Sequence, residues 1–156
     1  MQTTLLAVGK LRPCYREACD DYLQRLRHYS PVTEVELREA PRAKTPALRR
    51  REETARLLRA APQGSRLVVL DQNGNAWSSE ALAARVGRWR DEGSAPALVI
   101  GGAFGLEADL LAGTAERWSL GPLTLAHELA RVIVLEQWYR AWTILKGEPY
   151  HKGGER

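Results

Sequence analysis

Three short segments of this chain have the composition of ligand-binding turns. Asp71 follows an apolar run that ends at Leu70, residues 101–105 follow a second run, and residues 121–126 lead into the last predicted helix. Ligands of open α/β sheets bind at the carboxyl ends of the strands, where glycine lets the backbone approach them closely. The 101–105 loop (GGAFG) has neither the spacing of a dinucleotide fingerprint nor the lysine of a P-loop. A ligand-binding turn and a plain tight turn are both open for it.

Two further features of these turns have alternative explanations. Residues 121–126 are apolar, so we expect them to be buried, and their backbone groups then need hydrogen-bond partners. The sheet can supply those partners, or a flat heterocycle such as adenine can take some of them. Phe104, the one phenylalanine of the chain, can stack on a base or ligand, or can fill space in the core.

Four side chains are candidates for proton transfer and charge stabilisation: His127, Arg131, Arg140 and His151. Histidine titrates nearest to neutral pH, and arginine is always charged. Each candidate also has a structural explanation. Arg140 has the i, i+4 spacing of an intrahelical ion pair with Glu136, a histidine at a helix start is often structural, and His151 lies in a tail without periodicity.

Strand and helix patterns alternate along the chain. Apolar or alternating runs predict strands over residues 4–8, 32–37, 66–70, 97–100 and 118–120, with a turn at 71–75. Helical periodicity and capping residues predict helices over 14–29, 46–60, from Ser78 or Ser79 to about 91, 107–111 and 128–145. This order predicts one α/β domain over residues 1–156, with a mainly parallel sheet and helices on both faces.

Composition excludes several classes of protein. The 156 residues suit one domain, no apolar run is long enough to span a bilayer, and the N-terminus does not have the pattern of a signal peptide. Cys14 and Cys19 are badly spaced for a disulfide, which favours a reduced cytoplasmic protein. The three histidines form no cluster with cysteine, so we expect no metal site.

The positive charge is concentrated in one segment. The chain carries a net charge of +4, yet residues 38–59 contain eight basic and three acidic side chains, a local charge of +5. Such a segment is typical of proteins that bind RNA phosphates. A non-catalytic RNA- or ribosome-binding module would need nothing else.

The last helix is apolar on two opposite faces. One face carries Leu129, Val132, Ile133 and Ile144, and the other carries Val134, Leu135, Trp138, Trp142 and Leu145. A surface helix packs one apolar face on the sheet and leaves the other polar. We therefore expect a second chain, in a twofold homodimer, to cover the extra face, although other parts of the same chain are an alternative cover.

Several motifs of the chain, in order, resemble those of the RlmH family. The pieces are LLAVG at 5–9, LD at 70–71, IGG at 100–102 with GL at 105–106, WSL at 118–120, LTL at 123–125, His127 with RV at 131–132, YRAW at 139–142 and PYH at 149–151. The RlmH family consists of SPOUT-class methyltransferases that methylate N3 of a pseudouridine in 23S rRNA. The resemblance covers the whole chain and is most specific in its C-terminal third.

The resemblance implies a fold and a cofactor as well as an activity. It implies a trefoil knot in the C-terminal half, a homodimer, ribosomal RNA as partner and S-adenosylmethionine as cofactor. Carried over by position, the cofactor-binding candidates are Leu70, Gly102, Gly121, Pro122, Leu123, Thr124, Leu125 and Ala126. The chain departs from the common pattern at Ala103-Phe104 in the glycine loop and at its four-residue extension 153–156.

The implied reaction assigns hypothetical roles to the four polar candidates. The imide proton must leave before N3 can attack a methyl group, which requires a base or stabilisation of the anion. His127 or His151 would assist proton removal, and Arg131 or Arg140 would offset charge on the flanking carbonyls. A SPOUT enzyme with another RNA target, such as a ribose 2′-hydroxyl, is the alternative within the same chemistry.

Overall fold

The computed structural model of the chain describes residues 1–113 and 115–151, apart from the side chains of residues 110, 115 and 151. Within these residues, five strands form one sheet in the order β2-β1-β4-β3-β5, and every neighbouring pair is parallel. The elements in chain order are β1 (Thr3–Val8), α1 (Pro13–Leu26), β2 (Val32–Leu37), α2 (Pro46–Ala60), β3 (Arg66–Asn75), α3 (Ser79–Asp91), β4 (Pro96–Ile100), β5 (Ala115–Trp118) and α4 (His127–Leu145). Short 3₁₀ helices lie at Ala108–Leu111 and Pro149–His151.

Helices cover both faces of this sheet, as the alternation of elements predicted. α1, α3 and α4 pack on one face around Leu5, Val68 and Leu98. α2 packs on the other face, where Leu57 meets Leu6 and Val69. The predicted caps are present: Leu48 donates its backbone N–H to the Thr45 hydroxyl at 3.1 Å, and Ala81 donates to Ser78 at 3.1 Å. The predicted α/β fold class is confirmed.

Three elements differ from their predicted bounds by more than one residue. Residues 71–75, predicted as a turn, continue β3, because Gly74 lets the strand run against β5: a Cβ there would lie 2.7 Å from the carbonyl carbon of Arg117. β5 ends at Trp118 rather than beginning there. α1 ends at Leu26, three residues early, and Ser30 then bonds back to the Leu26 carbonyl at 2.9 Å.

The prediction that a second chain covers the tryptophan face of α4 is wrong. Trp138 and Trp142 are 0% and 3% exposed and pack in this chain's own core with residues of α1, α3 and the sheet. On the opposite face Leu129 is 39% exposed, whereas Val132 and Ile144 pack partly against the same core. The sequence identified two apolar faces but could not show that three elements of the same chain enclose the larger one.

None of the helices in the described ranges is long and apolar enough to cross a membrane. Two of the helices matter most for the site described next. α2 lies beside the 101–105 loop, and α4 begins directly after residues 121–126. The carboxyl ends of β1, β3 and β4 lie between them.

Candidate functional site

A small cavity lies at the carboxyl end of β3, between that strand and the segment that leads into α4. It has a volume of about 170 Å³. Five of the eight predicted cofactor-binding residues line it: Leu70, Gly121, Leu123, Thr124 and Leu125. The rest of the wall is formed by Asp71, Gln72, Trp118, Leu120 and Ala130. Two of the three turns predicted from the sequence therefore meet at one pocket.

Side-chain and backbone hydrogen bonds hold the 121–126 segment against β3. The Gln72 side-chain amide donates to the Pro122 carbonyl at 2.7 Å. The Ser119 hydroxyl donates to the Gln72 carbonyl at 3.1 Å and accepts the Gly121 N–H at 3.1 Å. Ala126 ends the segment as the residue before α4. These bonds fix the wall of the cavity, and most backbone N–H groups of the segment have no hydrogen-bond partner among the described residues.

The expectation that residues 121–126 are buried is wrong for the single chain. Leu123 is 76% exposed, and Pro122, Thr124 and Ala126 are also exposed. No element packs over this segment in the described part of the chain, so its apolar side chains face solvent beside the cavity. An apolar wall of this kind is typical of a site for a ligand or a second chain.

Gly102, another of the eight predicted cofactor-binding residues, does not line this cavity and packs against α2. A Cβ at Gly102 would lie 2.7 Å from Glu53 Oε2 and 3.1 Å from Val8 Cγ1. The loop closes tightly, since Gly105 donates its N–H to the Gly102 carbonyl at 3.0 Å and has a φ of +74°. Glycine is thus required at Gly102 for close packing and at Gly105 for a left-handed turn.

Glu53 is a residue of this region that sequence reasoning missed. It is 1% exposed, and its Oε1 accepts the Ala40 N–H at 2.8 Å and the Arg49 Nε–H at 3.1 Å. Its Oε2 has no hydrogen-bond partner among the described residues. In the sequence, Glu53 was one acidic residue within a basic segment, and nothing in its spacing marked it as buried.

His127 and Arg131 lie together at the first turns of α4, beside the end of β1. His127 Nε2 would lie 3.4 Å from a Cβ placed on Gly9. The Arg131 side chain is fully buried; its Nη1 donates to Glu36 Oε2 at 2.5 Å, and its Nη2 donates to the Gly9 carbonyl at 2.8 Å. Arg131 is therefore committed to protein partners, whereas His127 is half-buried.

Arg140 lies near the other end of α4, beside the C-terminal turn. Its Nη2 donates to Glu136 Oε1 at 2.6 Å, which confirms the predicted ion pair. The guanidinium also lies 4.9 Å from the ring centroid of Tyr150, whose hydroxyl donates to Glu136 Oε1 at 3.1 Å. Burial, followed by a hydrogen bond with Tyr22, raises the pKa of Tyr150. His151 follows in the same 3₁₀ turn, but its side chain lies outside the described part of the chain.

The basic segment separates into two sets of side chains. Arg49, Arg50 and Arg51 pair with Glu53, Glu107 and Asp109, respectively, and Arg56 pairs with Glu52. Four exposed cations have no ion pair within the described ranges: Arg38, Arg42, Lys44 and Arg59. The second set is available for a polyanion. Within the same ranges, no group of three or more potential ligand side chains could hold a metal ion.

A parallel sheet whose strand ends and following turns enclose a pocket is typical of cofactor-binding α/β enzymes. More specifically, residues 1–151 match the family described as "Predicted SPOUT methyltransferase", so the chain belongs to the SPOUT methyltransferase family. A methyl-donor cofactor is implied for such an enzyme.

Two curated relatives carry the same name, Ribosomal RNA large subunit methyltransferase H. The one from Nitratidesulfovibrio vulgaris is 46% identical over 149 residues, 94% of this chain and 96% of the relative. The one from Ectopseudomonas mendocina is 41% identical over 155 residues, 97% and 100% of the two chains. The resemblance to the RlmH family that was predicted from the sequence motifs is confirmed.

Solved structures support the fold at lower identity. A probable methylase family protein from Haemophilus influenzae Rd KW20 matches with a TM-score of 0.53 and 11% identity, over 96% of this chain and 69% of that chain. A structure described as "Structural insights into the 2-OH methylation of C/U34 on tRNA" matches with a TM-score of 0.51 and 19% identity, over 94% and 98%. At these identities the likeness concerns the fold alone.

Proposed function

We propose that this chain transfers a methyl group from S-adenosylmethionine to N3 of a pseudouridine in 23S rRNA. The observation that carries the proposal is the identity of 41–46% over nearly the full length of relatives named as large-subunit rRNA methyltransferases. The proposal places the enzyme in the cytoplasm, where it acts on ribosomal RNA or the ribosome. The trefoil knot of the C-terminal half also remains a prediction from the family.

The cavity at the end of β3 fits the cofactor in chemistry. Leu70, Leu123 and Leu125 give it apolar walls, and the backbone of residues 121–126 offers N–H and C=O groups to a heterocycle. These residues would hold S-adenosylmethionine, whereas Gly102, which packs against α2, keeps its cofactor role only as an expectation from the family. When bound, the cofactor supplies an activated methyl group.

Thermal stabilisation by S-adenosylmethionine tests this assignment. A ligand present at 100 times its Kd stabilises a folded protein by about 2.7 kcal/mol. We expect a large stabilisation of the wild type and a smaller one of Gln72→Ala, which removes the bond to the Pro122 carbonyl. Leu48→Ala, at an exposed position on α2, is the matched control and should respond like the wild type. No stabilisation of the wild type would favour a non-catalytic RNA-binding module.

The proposed proton acceptor is His127. Its imidazole lies at the start of α4, close to the end of β1, and is exposed enough to contact the reacting nucleobase. Nε2 would take the imide proton from N3 and later pass it to water. N3 would bond to the methyl carbon while the bond between that carbon and the sulfur of the cofactor breaks, which leaves a neutral thioether. His151 is the second candidate for this role.

The two arginines receive different roles in the proposal. Arg131 is fully buried and bonded to Glu36 and Gly9, so it positions the end of β1 beside His127. Arg140 keeps 24% of its side chain exposed, and it would offset negative charge on the carbonyls of the reacting base. This assignment revises the prediction for Arg131, which treated both arginines alike.

One chain cannot bring His127 and Arg140 to the same base. They are thirteen residues apart on one helix, which corresponds to about 20 Å along its axis. The proposed homodimer removes the conflict if His127 comes from one subunit and Arg140, with the Tyr150 turn, from the other. The exposed face of α4 around Leu129 supports such a contact.

Mixing two inactive variants tests this arrangement. In a twofold dimer, His127→Ala and Arg140→Gln subunits that refold together form one intact site per mixed dimer, so about a quarter of the wild-type activity should return. Refolding either variant with itself is the control. Absence of any recovery, with mixed dimers shown by mass spectrometry, would contradict the shared site.

The reaction itself is tested on ribosomal RNA. Mass spectrometry of 23S rRNA from a strain that lacks the protein should show one missing methyl group, at N3 of a pseudouridine. The purified enzyme with S-adenosylmethionine should restore it on ribosomes from that strain. A missing methyl on a ribose 2′-hydroxyl would keep the chemistry and change the target.

A further inference from the structure

Phe104 stands at the tip of the tight loop after β4, at a position where this chain departs from the usual family pattern. Its side chain is 40% exposed, so it does not fill the core. The backbone beneath it is fixed by the Gly105 N–H bond to Gly102 and by a bond of 2.9 Å from the Glu107 N–H to the Thr54 hydroxyl. The ring is therefore presented on a firmly held turn.

A cation behind the ring is also held in place. The Arg49 guanidinium carbon lies 5.3 Å from the Phe104 ring centroid. Arg49 donates to Glu39 at 2.5 Å and to the buried Glu53 at 3.1 Å. Two carboxylates fix the position of the guanidinium, which contacts the Phe104 ring. A further planar group can stack on the part of the ring that is exposed to solvent.

A cavity of about 420 Å³ borders the ring and shares Leu70, Asp71 and Gln72 with the candidate cofactor cavity. Its other side reaches Leu106 and Leu111, which belong to the core on the α2 face of the sheet. The end of β3 thus separates two adjoining cavities, one toward α4 and one toward α2.

The charges in this second cavity are balanced. Arg50 pairs with Glu107 at 2.9 Å, and Arg117 pairs with Asp71 at 3.3 Å. Paired arginines are poor receptors for a phosphate, so the cavity favours an uncharged planar group. The Asn73 side chain lines the wall, is exposed and has no hydrogen-bond partner among the described residues, which leaves its amide free for the edge of a base.

We propose that this cavity receives an unpaired nucleobase of the RNA substrate, next to the methylated nucleotide, and that the base stacks on Phe104. Proteins recognise unpaired RNA by stacking bases on aromatic rings and by bonding to their exposed edges. The base is a neighbour of the target, because the cofactor cavity and His127 lie toward α4 and Phe104 lies toward α2. The inference rests on the proposed RNA methyltransferase function.

Substitutions at Phe104 separate stacking from packing. Phe104→Ala and Phe104→Leu both remove the aromatic face, but leucine keeps apolar bulk, and Phe104→Trp keeps a face for stacking. With unmethylated ribosomes as substrate, we expect Ala and Leu to raise the KM for ribosomes about 5- to 150-fold, the range that loss of one stacked base produces. Trp should stay near the wild-type KM. The kcat value, the Kd for S-adenosylmethionine and the Leu48→Ala control should be unchanged.

Three results would overturn the inference. If Phe104→Leu kept the wild-type KM as fully as Phe104→Trp does, Phe104 would act by packing rather than by stacking. A shifted monomer–dimer equilibrium of Phe104→Ala in sedimentation would place the ring between copies of this chain. An unchanged KM for Phe104→Ala would remove the base from this cavity.

A binding measurement without turnover separates this inference from the proposed function. Anisotropy of a fluorescein-labelled oligouridylate should show weaker binding to Phe104→Ala and Phe104→Leu than to wild type and Phe104→Trp. If the wild type methylates no ribosomal RNA, the proposed function fails, and this titration still decides whether Phe104 stacks on RNA bases. Equal binding by all four proteins would overturn the inference while leaving the proposed reaction intact.

Discussion

The two ends of α4 each carry an arginine, and the two side chains have opposite surroundings. Arg131 is 0% exposed and spans from α4 to β2 and β1, where Glu36 and the Gly9 carbonyl bind it. Arg140 is 24% exposed, and its partners, Glu136 and Tyr150, lie on the same helix and on the turn that follows.

This difference in burial and partners shows which of the two arginines can take part in a reaction. A buried cation is tolerated only while its partners remain in place, since removing them leaves a charge without solvation. Arg131 therefore cannot leave Glu36 to serve a substrate. Arg140 holds an ion pair that solvent still reaches, so exchanging its partner for a reacting nucleobase costs less than moving Arg131 would.

Removing each arginine should give the largest contrast in stability. Arg131→Met leaves the Gly9 carbonyl without its donor and Glu36 with only the more distant Arg16, so we expect the free energy of unfolding to fall by about 1–3 kcal/mol. Arg140→Met breaks a partly exposed ion pair within one helix, so we expect a smaller loss of about 1 kcal/mol. Urea denaturation followed by circular dichroism measures both.

Arg131→Lys keeps the charge and guards against complete unfolding of the methionine variant. Lysine cannot bind Glu36 and the Gly9 carbonyl with the planar fork of arginine, so we expect a stability between those of wild type and Arg131→Met. Equal losses at Arg131 and Arg140 would contradict the contrast between the two ends.

The contrast should reverse when methyl transfer is measured. We expect Arg140→Gln to lower kcat about 10²- to 10³-fold, as removal of one transition-state charge stabiliser does, because it would no longer offset charge on the base. Its melting temperature should stay close to that of the wild type. A kcat within a few-fold of the wild type would exclude Arg140 from the reaction.

The burial of Arg131 could not be predicted from the alternating sequence of β2, the strand that carries its partner Glu36. The alternation in β2 correctly predicted a strand with Glu34 and Glu36 on one face, and a half-exposed strand was the natural interpretation. In the structure that face meets Arg16 of α1 and Arg131 of α4, which are far away in the sequence. Helix packing over the edge strand gave this polar face two arginine partners, of which only Arg131 is fully buried.

The cofactor cavity was more accessible to prediction, because strand ends mark it in the sequence. Leu70 and Gly121 were found from the rule that ligands bind beyond parallel strands, and the family motif added Leu123, Thr124 and Leu125. The close packing of Gly102 on Glu53 was not predictable, since it depends on the distance between the 101–105 loop and a helix forty residues upstream.

A smaller, pH-dependent effect is expected at Glu128, in the first turn of α4. The Arg12 backbone N–H donates to it at 2.7 Å, and this bond, together with the Arg12 guanidinium, lowers the pKa of Glu128. A carboxyl with a lowered pKa in the folded state stabilises the protein above its unfolded pKa of about 4.3, and the gain is lost as pH falls through the folded value.

Glu128→Gln should therefore be less stable than the wild type at pH 7, and the gap should close as the pH is lowered below about 4. Thermal unfolding between pH 3 and pH 7 measures the gap. Glu17→Gln, at an exposed position on α1, is the control and should show no gap at any pH. A gap for Glu128→Gln that is constant with pH would mean that packing, not charge, makes the difference.

The smallest effect is expected in the thiol reactivity of Cys19, which packs in the same core as α4. It is 0% exposed, and burial, followed by the charge of Glu34, raises the pKa of its thiol to about 11. At pH 8 only about one Cys19 side chain in a thousand is a thiolate, the form that reacts with a thiol reagent. Exposed Cys14 should react at once, and Cys19 only after the structure opens.

Arg140→Met should leave Cys19 as protected as in the wild type, whereas Arg131→Met should speed its reaction because it destabilises the interior that covers the thiol. Equal Cys19 rates in these two variants would show that the network around Arg131 does not hold that interior closed.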